Sequence, residues 1–209
     1  MTNDWRSGFL WIGNHVALDF VNTRPVIAGS PVELLPDGAA LARWLAVAGL
    51  IPERRRRSVE PLWRDSPQMR QLIVFREWLR EAVVEIENGR PVPSGFVKEL
   101  NRHLAERPLV NEVATQASGL VLRRKFEPRD PADALGLLAR LAAELITQAG
   151  STRMRRCDAC ILHFLDTSRK GTRRWCSMSL CGNRVKVAAY TARKRGDPAE
   201  LKSTTSSEE

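Results

Sequence analysis

The stretch "CDACILHFLDTSRKGTRRWCSMSLCGNR", residues 157–184, contains every cysteine of this 209-residue chain. Two close pairs, Cys157-x2-Cys160 and Cys176-x4-Cys181, are separated by fifteen residues. Each close pair lets one tight turn present two sulfurs to the same ion, and the insert brings the second turn back over the first. This spacing is typical of a tetrahedral site with four thiolate ligands. We therefore predict that the four cysteines bind one zinc ion.

The predicted zinc site is structural rather than catalytic. Four sulfurs complete the coordination that zinc prefers, so no position remains for water or a substrate. The alternatives are an iron–sulfur cluster, a redox-active pair, or four buried thiols without a metal. His163 lies inside the insert, and we interpret it as an ordinary hairpin residue because four cysteines already form a complete ligand set. A secreted disulfide scaffold would spread its cysteines over the fold, so we expect these thiols to be reduced.

The segment that holds the cysteines is also strongly basic. Residues 151–195 contain 12 Lys/Arg and 2 Asp/Glu, whereas the first 150 residues contain 20 and 18. The whole chain has a formal net charge of +9, so the excess lies in this short segment. Positive charge concentrated around a predicted metal site indicates a polyanionic partner, and nucleic acid is the commonest one.

The sequence around the cysteines predicts a small β-hairpin followed by a helix. Residues 161–175 alternate about a basic tip at 167–171, which is typical of a hairpin. The helix is predicted from about Leu180 to Arg195, with a small apolar face packed on the hairpin and the metal site. Its other face carries donors over about 16 Å, enough to follow a phosphate backbone or lie in a major groove. The predicted nucleic-acid contacts are Arg173, Arg174, Asn183, Arg184, Lys186, Tyr190, Arg193 and Lys194.

Two of these residues have a structural alternative. Asn183 either pairs with adenine or caps backbone groups around the thiolates. Arg184 either contacts guanine or bridges to Asp158 or Asp166 within the finger. For Arg193 and Lys194, farther along the helix, the phosphate-binding interpretation is favoured.

The first 150 residues predict a mainly helical domain with a few strands. Alternation of Val16, Leu18 and Phe20 predicts a short strand, and the two β-prone runs between Pro108 and Pro128 predict a hairpin. Apolar periodicity predicts helices over 38–48, 66–87, 94–106 and 130–149. Residues 54–57, four arginines, are expected in a solvated helix or a loop. The expected fold is therefore α+β and mainly α, with a helical domain at 1–150, a zinc finger at 151–195 and a flexible tail at 196–209.

Other features restrict the class of protein. No stretch approaches the roughly 18 apolar residues of a membrane span, and the N-terminus does not resemble a signal peptide, so we expect a cytoplasmic protein without membrane contact. The sequence has no Gly-rich phosphate loop and no nucleophile elbow, so it favours a binding protein over an enzyme.

An RNA-binding or ribosome-associated protein is an alternative to a DNA-binding one, although Phe164, Trp175 and Tyr190 are few platforms for stacked bases. A zinc module that binds another protein is a second alternative. A single small finger buries little surface, so useful affinity is expected to need a homodimer formed through the helical domain.

The finger resembles the bacterial CGNR zinc-finger family, named for the tetrapeptide at residues 181–184, and the resemblance covers about residues 153–195. "LDFVNT", residues 18–23, resembles the start of the ABATE-type domain that usually precedes such a finger. The resemblance implies a stress-induced bacterial transcription regulator whose finger binds DNA and whose larger domain senses a small-molecule effector. In that domain Asp19, Asn22 and Thr23 are candidate ligand contacts, with a turn-capping role as the alternative.

Overall fold

The protein is described by a computed structural model covering residues 4–106, 110–117, 119–148 and 153–195. Within these ranges it is mainly helical. The helices are α1 Val16–Val21, α2 Gly38–Val47, α3 Glu53–Trp63, α4 Met69–Glu87, α5 Ser94–Glu106, α6 Asp133–Gln148 and α7 Asn183–Arg195, the last preceded by a π-helical turn, Met178–Gly182. The strands are β1 Trp5–Arg6, β2 Phe9–Leu10, β3 Val26–Ile27, β4 Ser30–Pro31, β5 Val110–Gln116, β6 Gly119–Lys125, β7 Met154–Arg156 and β8 His163–Leu165.

The described strands form two-stranded antiparallel pairs, each joining consecutive strands. Small strand pairs among packed helices confirm the predicted mainly-α, α+β fold class. The helices predicted near 38–48, 94–106 and 130–149 are present, as is the hairpin between Pro108 and Pro128. The helix predicted from residue 66 begins three residues later, and residues 54–57 lie in α3. Gly150, the predicted end of α6, and the predicted tail at 196–209 lie outside the described residues.

The main core forms where α1, α2, α4 and α6 meet. Leu18, Trp44, Leu72 and Leu79 are each 0% exposed within it. Apolar residues three and four positions apart give α4 one buried face, as its sequence periodicity predicts. In α6 the consecutive residues 134–139 are all buried, so the first half of this helix lies inside the core.

The start of α2 explains how this helix packs so closely on α3. The Asp37 carboxylate accepts a hydrogen bond from the Ala40 N–H at 2.7 Å and so caps the helix. A Cβ on Gly38 would lie 2.0 Å from the Trp63 carbonyl oxygen, so only glycine allows this approach.

The predicted first strand is wrong, because residues Val16–Val21 form the helix α1. His15 caps it, with its Nδ1 accepting a hydrogen bond from the Ala17 N–H at 3.2 Å. Five of the six helical residues are buried, since the main core surrounds α1 on almost every side. A helix buried all round loses its amphipathic periodicity, and the alternation of apolar residues was therefore misleading.

The predicted hairpin within the insert is also wrong. β8 pairs with β7, which precedes the first cysteine, with Met154 opposite Leu165 and Arg156 opposite His163. After β8 the Asp166 carboxylate accepts hydrogen bonds from the N–H groups of Ser168 and Arg173, at 2.9 and 2.8 Å. These bonds turn the chain back toward the second pair of cysteines without a strand, so Arg173 and Arg174 lie in a loop.

Candidate metal centre and nucleic-acid interface

The four cysteines converge at one point. Their sulfurs all lie within 4.8 Å of one another, and the sulfur–sulfur distance is 3.8 Å for Cys160–Cys176 and 3.7 Å for Cys176–Cys181. Four sulfurs at about 2.3 Å from a central zinc ion would be about 3.8 Å apart. Four soft thiolate donors at these separations suit zinc, so the residues present fit the predicted ion. Cys157, Cys160, Cys176 and Cys181 form a site for one zinc ion.

Two local turns present the sulfurs. In the first, the Cys157 N–H donates to the Leu162 carbonyl at 2.9 Å. The second is the π-helical turn, which Ser177 caps by accepting a hydrogen bond from the Ser179 N–H at 3.1 Å. This cap fixes the start of the π-helical segment. Cys181 lies four residues after Ser177, and its N–H donates to the Ser177 carbonyl at 3.1 Å.

Crowding of the sulfurs controls their protonation. Hydrogen bonding with Cys157 raises the pKa of the Cys160 thiol to about 12, and burial raises the pKa of the Cys181 thiol. Hydrogen bonds from Cys160 and Cys176 lower the pKa of the Cys157 thiol. Because metals bind the thiolate form, zinc must displace protons from this cluster, so binding is expected to weaken at low pH.

Two arginines that sequence analysis assigned to nucleic acid brace the metal centre. Arg184 Nη2 lies 3.8 Å from the Cys181 sulfur and 3.3 Å from the Ala159 carbonyl oxygen, so it joins the two turns. Arg173 donates to the carbonyls of Trp175, at 2.9 Å, and Cys176. Their guanidinium groups are therefore engaged within the finger.

Arg174, and not Arg184, forms the bridge to Asp158. Its Nε lies 2.7 Å from an oxygen of Asp158, and its carbonyl accepts the Asp158 N–H at 3.0 Å. The side chains of Arg174 and Asp158 are 68% and 46% exposed, so a nearby anion could compete for this guanidinium.

The N-terminal segment belongs structurally to the finger. Leu10 and Ile12 pack with Leu162, Phe164 and the buried cysteines in a second small core. The Asp4 carboxylate accepts hydrogen bonds from the hydroxyl groups of Ser177, at 2.6 Å, and Ser179. The metal turn is thereby attached to residues more than 170 positions earlier in the chain.

The three residues predicted as ligand contacts are buried on or just after α1. Asn22 donates to the His163 carbonyl at 2.8 Å and accepts the His163 N–H at 2.9 Å, so its side chain pairs with β8 as a strand would. The Thr23 hydroxyl donates to the Phe20 carbonyl at 2.7 Å and accepts from Arg76 at 2.9 Å. These polar groups are already used within the protein.

Asp19, the third residue, is ionisable. It is 6% exposed and accepts hydrogen bonds from the N–H groups of Ile12 and Gly13 at 3.0 and 2.8 Å. Burial raises the pKa of its carboxyl group to about 6, and the two N–H groups oppose part of that shift.

One further contact between the larger domain and the finger was missed by sequence reasoning. The His163 ring nitrogen Nδ1 lies 2.8 Å from a carboxylate oxygen of Glu87, and both side chains are less than 10% exposed. Glu87 is the last residue of α4, 76 positions earlier in the chain. No local sequence signal relates the two residues.

Comparison with protein families follows the same division of the chain. The family model ABATE, described as "Putative stress-induced transcription regulator", matches residues 14–149. The chain belongs to the ABATE family. The CGNR zinc-finger model matches residues 153–194 and includes all four metal-binding cysteines. A search of curated proteins found no match. The predicted family resemblance is therefore confirmed in both parts of the chain.

α7 extends from the CGNR finger without packing against it. No residue described in α7 is buried, and Val187 and Tyr190 are 63% and 54% exposed. The prediction that its apolar face packs on the hairpin and metal site is wrong. The helix leaves the finger after its first turn, where Arg184 makes the last contact with the metal turns, and Val185 is already 36% exposed.

Two cavities border the helix α4 of the ABATE domain. One, of about 350 Å³, is lined by Val74, Phe75 and Trp78 of α4 and by residues of α5. The other, of about 590 Å³, lies between the C-terminal end of α4 and the CGNR finger. Asp19, Asn22 and Thr23 line neither of them. No helix among the described residues is long and apolar enough to span a membrane.

Proposed function

We propose that this ABATE protein is a transcription regulator that binds duplex DNA, with α7 as its main contact surface. The observation that carries the proposal is the exposure of α7 together with its charge. The helix has five basic residues and no acidic one, and none of its described residues is buried. The five are Arg184, Lys186, Arg193, Lys194 and Arg195.

An exposed helix of this composition is suited to a polyanion. Isolated helices of about 13 residues are marginal in water, so a partner that pairs with the cationic side chains would stabilise α7. Two copies of α7 would repel each other through their like charges, which argues against a dimer formed by this helix alone. Duplex DNA has both the required charge and a major groove that admits a helix.

The side chains of α7 divide between the two tasks of DNA binding. Asn183 and Lys186, at the end next to the metal centre, are the proposed contacts to base edges or nearby phosphates. At the far end Lys194 lies 5.2 Å from the centre of the Tyr190 ring, which holds its ammonium group on that face. Arg173 and Arg184 act indirectly, since they brace the metal turns from which α7 projects.

The experiment measures the affinity of zinc-loaded protein for a fluorescently labelled mixed-sequence duplex at several salt concentrations. The variant removes Arg193 and Lys194 together as alanines. Log affinity falls with log salt, and each lost phosphate contact makes this slope less steep by about 0.9. The double variant is therefore expected to have a slope less steep by about 1.8. The matched control removes Arg54 and Arg57, two exposed arginines of α3, and therefore the same charge.

A less steep salt dependence in the α7 variant, with an unchanged one in the control and equal zinc content in both, supports the proposal. An equal decrease in steepness in the two variants would mean that net charge alone is responsible. An unchanged α7 variant would exclude this helix as the contact surface. Tighter binding of a structured RNA competitor than of the duplex would replace DNA by RNA as the partner.

The family description and the two-part architecture support a regulatory role for the ABATE domain. In this proposal the domain modulates DNA binding rather than catalysing a reaction, and a small-molecule effector is its expected input. Since the polar groups of Asp19, Asn22 and Thr23 are used internally, we assign them structural roles rather than contact with that effector. Asn22 supports the finger directly, through the backbone of His163.

A further inference from the structure

The cavity between the C-terminal end of α4 and the CGNR finger is lined mainly by polar and basic residues. We call it the junction groove. Val84 of α4 and Asn88, which directly follows that helix, form one side. Arg155 and Arg156 of β7 form another, and the loop residues Arg173 and Arg174 a third. Its volume of about 590 Å³ lies in the usual range for small-molecule sites.

The two carboxylates in the junction groove do not compensate the charge of all four arginines. Asp158 is paired with Arg174 at 2.7 Å, and Glu87 is bonded to His163 at 2.8 Å rather than to an arginine of the groove. The Arg156 side chain is exposed and has no hydrogen-bond or ion-pair partner among the described residues. The groove therefore has excess positive charge that nothing described in the chain satisfies.

Arg155 next to it is only partly engaged. It donates one hydrogen bond, from Nη2 to the Gly171 carbonyl at 2.9 Å. A guanidinium group has five N–H donors, so most of those on Arg155 remain for a ligand. Asn88 and Thr172, both exposed in the groove, add neutral hydrogen-bonding groups.

We propose that the junction groove binds phosphate groups, with Arg155 and Arg156 as the principal ligands. Guanidinium groups match phosphate oxygens by paired hydrogen bonds, and a groove lined by more than one arginine suits a ligand with more than one phosphate. The phosphate has two possible sources, a free phosphorylated small molecule and the backbone of bound DNA. This inference does not rest on the DNA contact proposed for α7, because its residues lie in a different element.

A ligand in the junction groove would touch both parts of the protein. One side of the groove is α4 of the ABATE domain, and the other is the loop that leads into Cys176. Arg174 in that loop is bonded to Asp158, directly after Cys157. A free anion bound here is therefore placed to strengthen the attachment of the metal centre to the ABATE domain.

Isothermal titration of zinc-loaded full-length protein with inorganic pyrophosphate, at low salt, tests the site. We expect saturable binding that weakens at least tenfold in Arg156→Gln. Arg54→Gln is the matched control, since Arg54 is also exposed and has no partner among the described residues. Because the Arg156 side chain makes no hydrogen bond or ion pair with the described residues, Arg156→Gln is expected to fold normally, and circular dichroism with zinc analysis checks this.

The two sources give different results. Pyrophosphate binding that is lost in Arg156→Gln, with an unchanged salt slope for duplex DNA, identifies a free phosphorylated molecule. No pyrophosphate binding to the parent, with a DNA salt slope lowered by about 0.9 in Arg156→Gln alone, identifies a DNA phosphate. Pyrophosphate binding that persists in Arg156→Gln, or the absence of both effects, overturns the proposal.

Discussion

The side-chain amide of Asn22 forms two hydrogen bonds with the backbone of His163, at 2.8 and 2.9 Å, and thereby pairs α1 of the ABATE domain with β8 of the finger. Asn22 is 0% exposed and His163 is 3% exposed. The two bonds satisfy both backbone groups of His163 inside the protein, where water cannot replace the lost partner. The finger is therefore attached to the ABATE domain by buried polar contacts.

Replacing Asn22 by alanine is expected to lower the free energy of unfolding by about 2–4 kcal/mol, because two buried backbone groups lose their partner. Urea denaturation followed by circular dichroism measures the change. Asn14→Gly is the control, since it removes an exposed hydrogen bond to the Leu165 carbonyl and suits the positive φ of 56° at that position. An equal effect of the two substitutions would contradict the buried pairing.

Removing zinc is expected to destabilise the ABATE domain as well as the finger. Met154 of the finger is 3% exposed within the main core, and Leu10 and Ile12 pack with the cysteines. The two cores share chain segments, so loss of the metal should lower the melting temperature of the whole protein. Thermal unfolding at 222 nm, with and without a strong chelator, tests this. An unchanged main transition after verified zinc loss would mean that the parts fold independently.

Asp19 makes stability depend on pH. Its pKa is raised to about 6 by burial, from an ordinary value of 3.8, so the folded state binds more protons between these values. Its contribution to stability is complete below pH 3.8 and is lost as the pH rises through 6. Asp19→Asn keeps the oxygen that accepts from Ile12 and Gly13 but cannot ionise.

The unfolding free energy of Asp19→Asn relative to the parent is therefore expected to rise by on the order of 2 kcal/mol between pH 4 and pH 7. It should remain level above pH 7. Chemical denaturation of both proteins across this range provides the measurement. A difference that does not change with pH would show that Asp19 titrates normally.

Two glycines are expected to tolerate alanine differently. A Cβ at position 38 would meet the Trp63 backbone carbonyl at 2.0 Å, whereas one at position 182 would meet the end of the Met178 side chain at 2.5 Å. Met178 is 45% exposed and can move, but the α3 backbone cannot. Gly38→Ala should therefore cost more than about 2 kcal/mol and Gly182→Ala less than about 1 kcal/mol. Thermal melts of both variants, with zinc content as a check, compare them.

Local patterns in the sequence predicted the metal site and most helices. The spacing of the cysteines predicts that they converge, because each close pair lies in one short turn. The helices α2 and α5 were predictable because they have clear apolar periodicity and end signals. α1 was misread since it is buried nearly all round. β7 was missed because Arg155 and Arg156 give it no apolar alternation.

The attachment of the finger to the ABATE domain had no local signal. Asn22 and His163 are 141 positions apart, and Glu87 and His163 are 76 apart. Asn22 was a candidate ligand contact in the sequence, and only the fold brings it to β8. The junction groove was unpredictable for the same reason, since α4 and β7 meet only in three dimensions.

Zinc K-edge X-ray absorption on protein purified under reducing conditions, together with zinc stoichiometry, tests the central claim most directly. We predict one zinc ion per chain and four sulfur neighbours at about 2.3 Å. Substoichiometric metal, or a first shell that contains nitrogen or oxygen, would contradict the four-cysteine centre from which α7 projects.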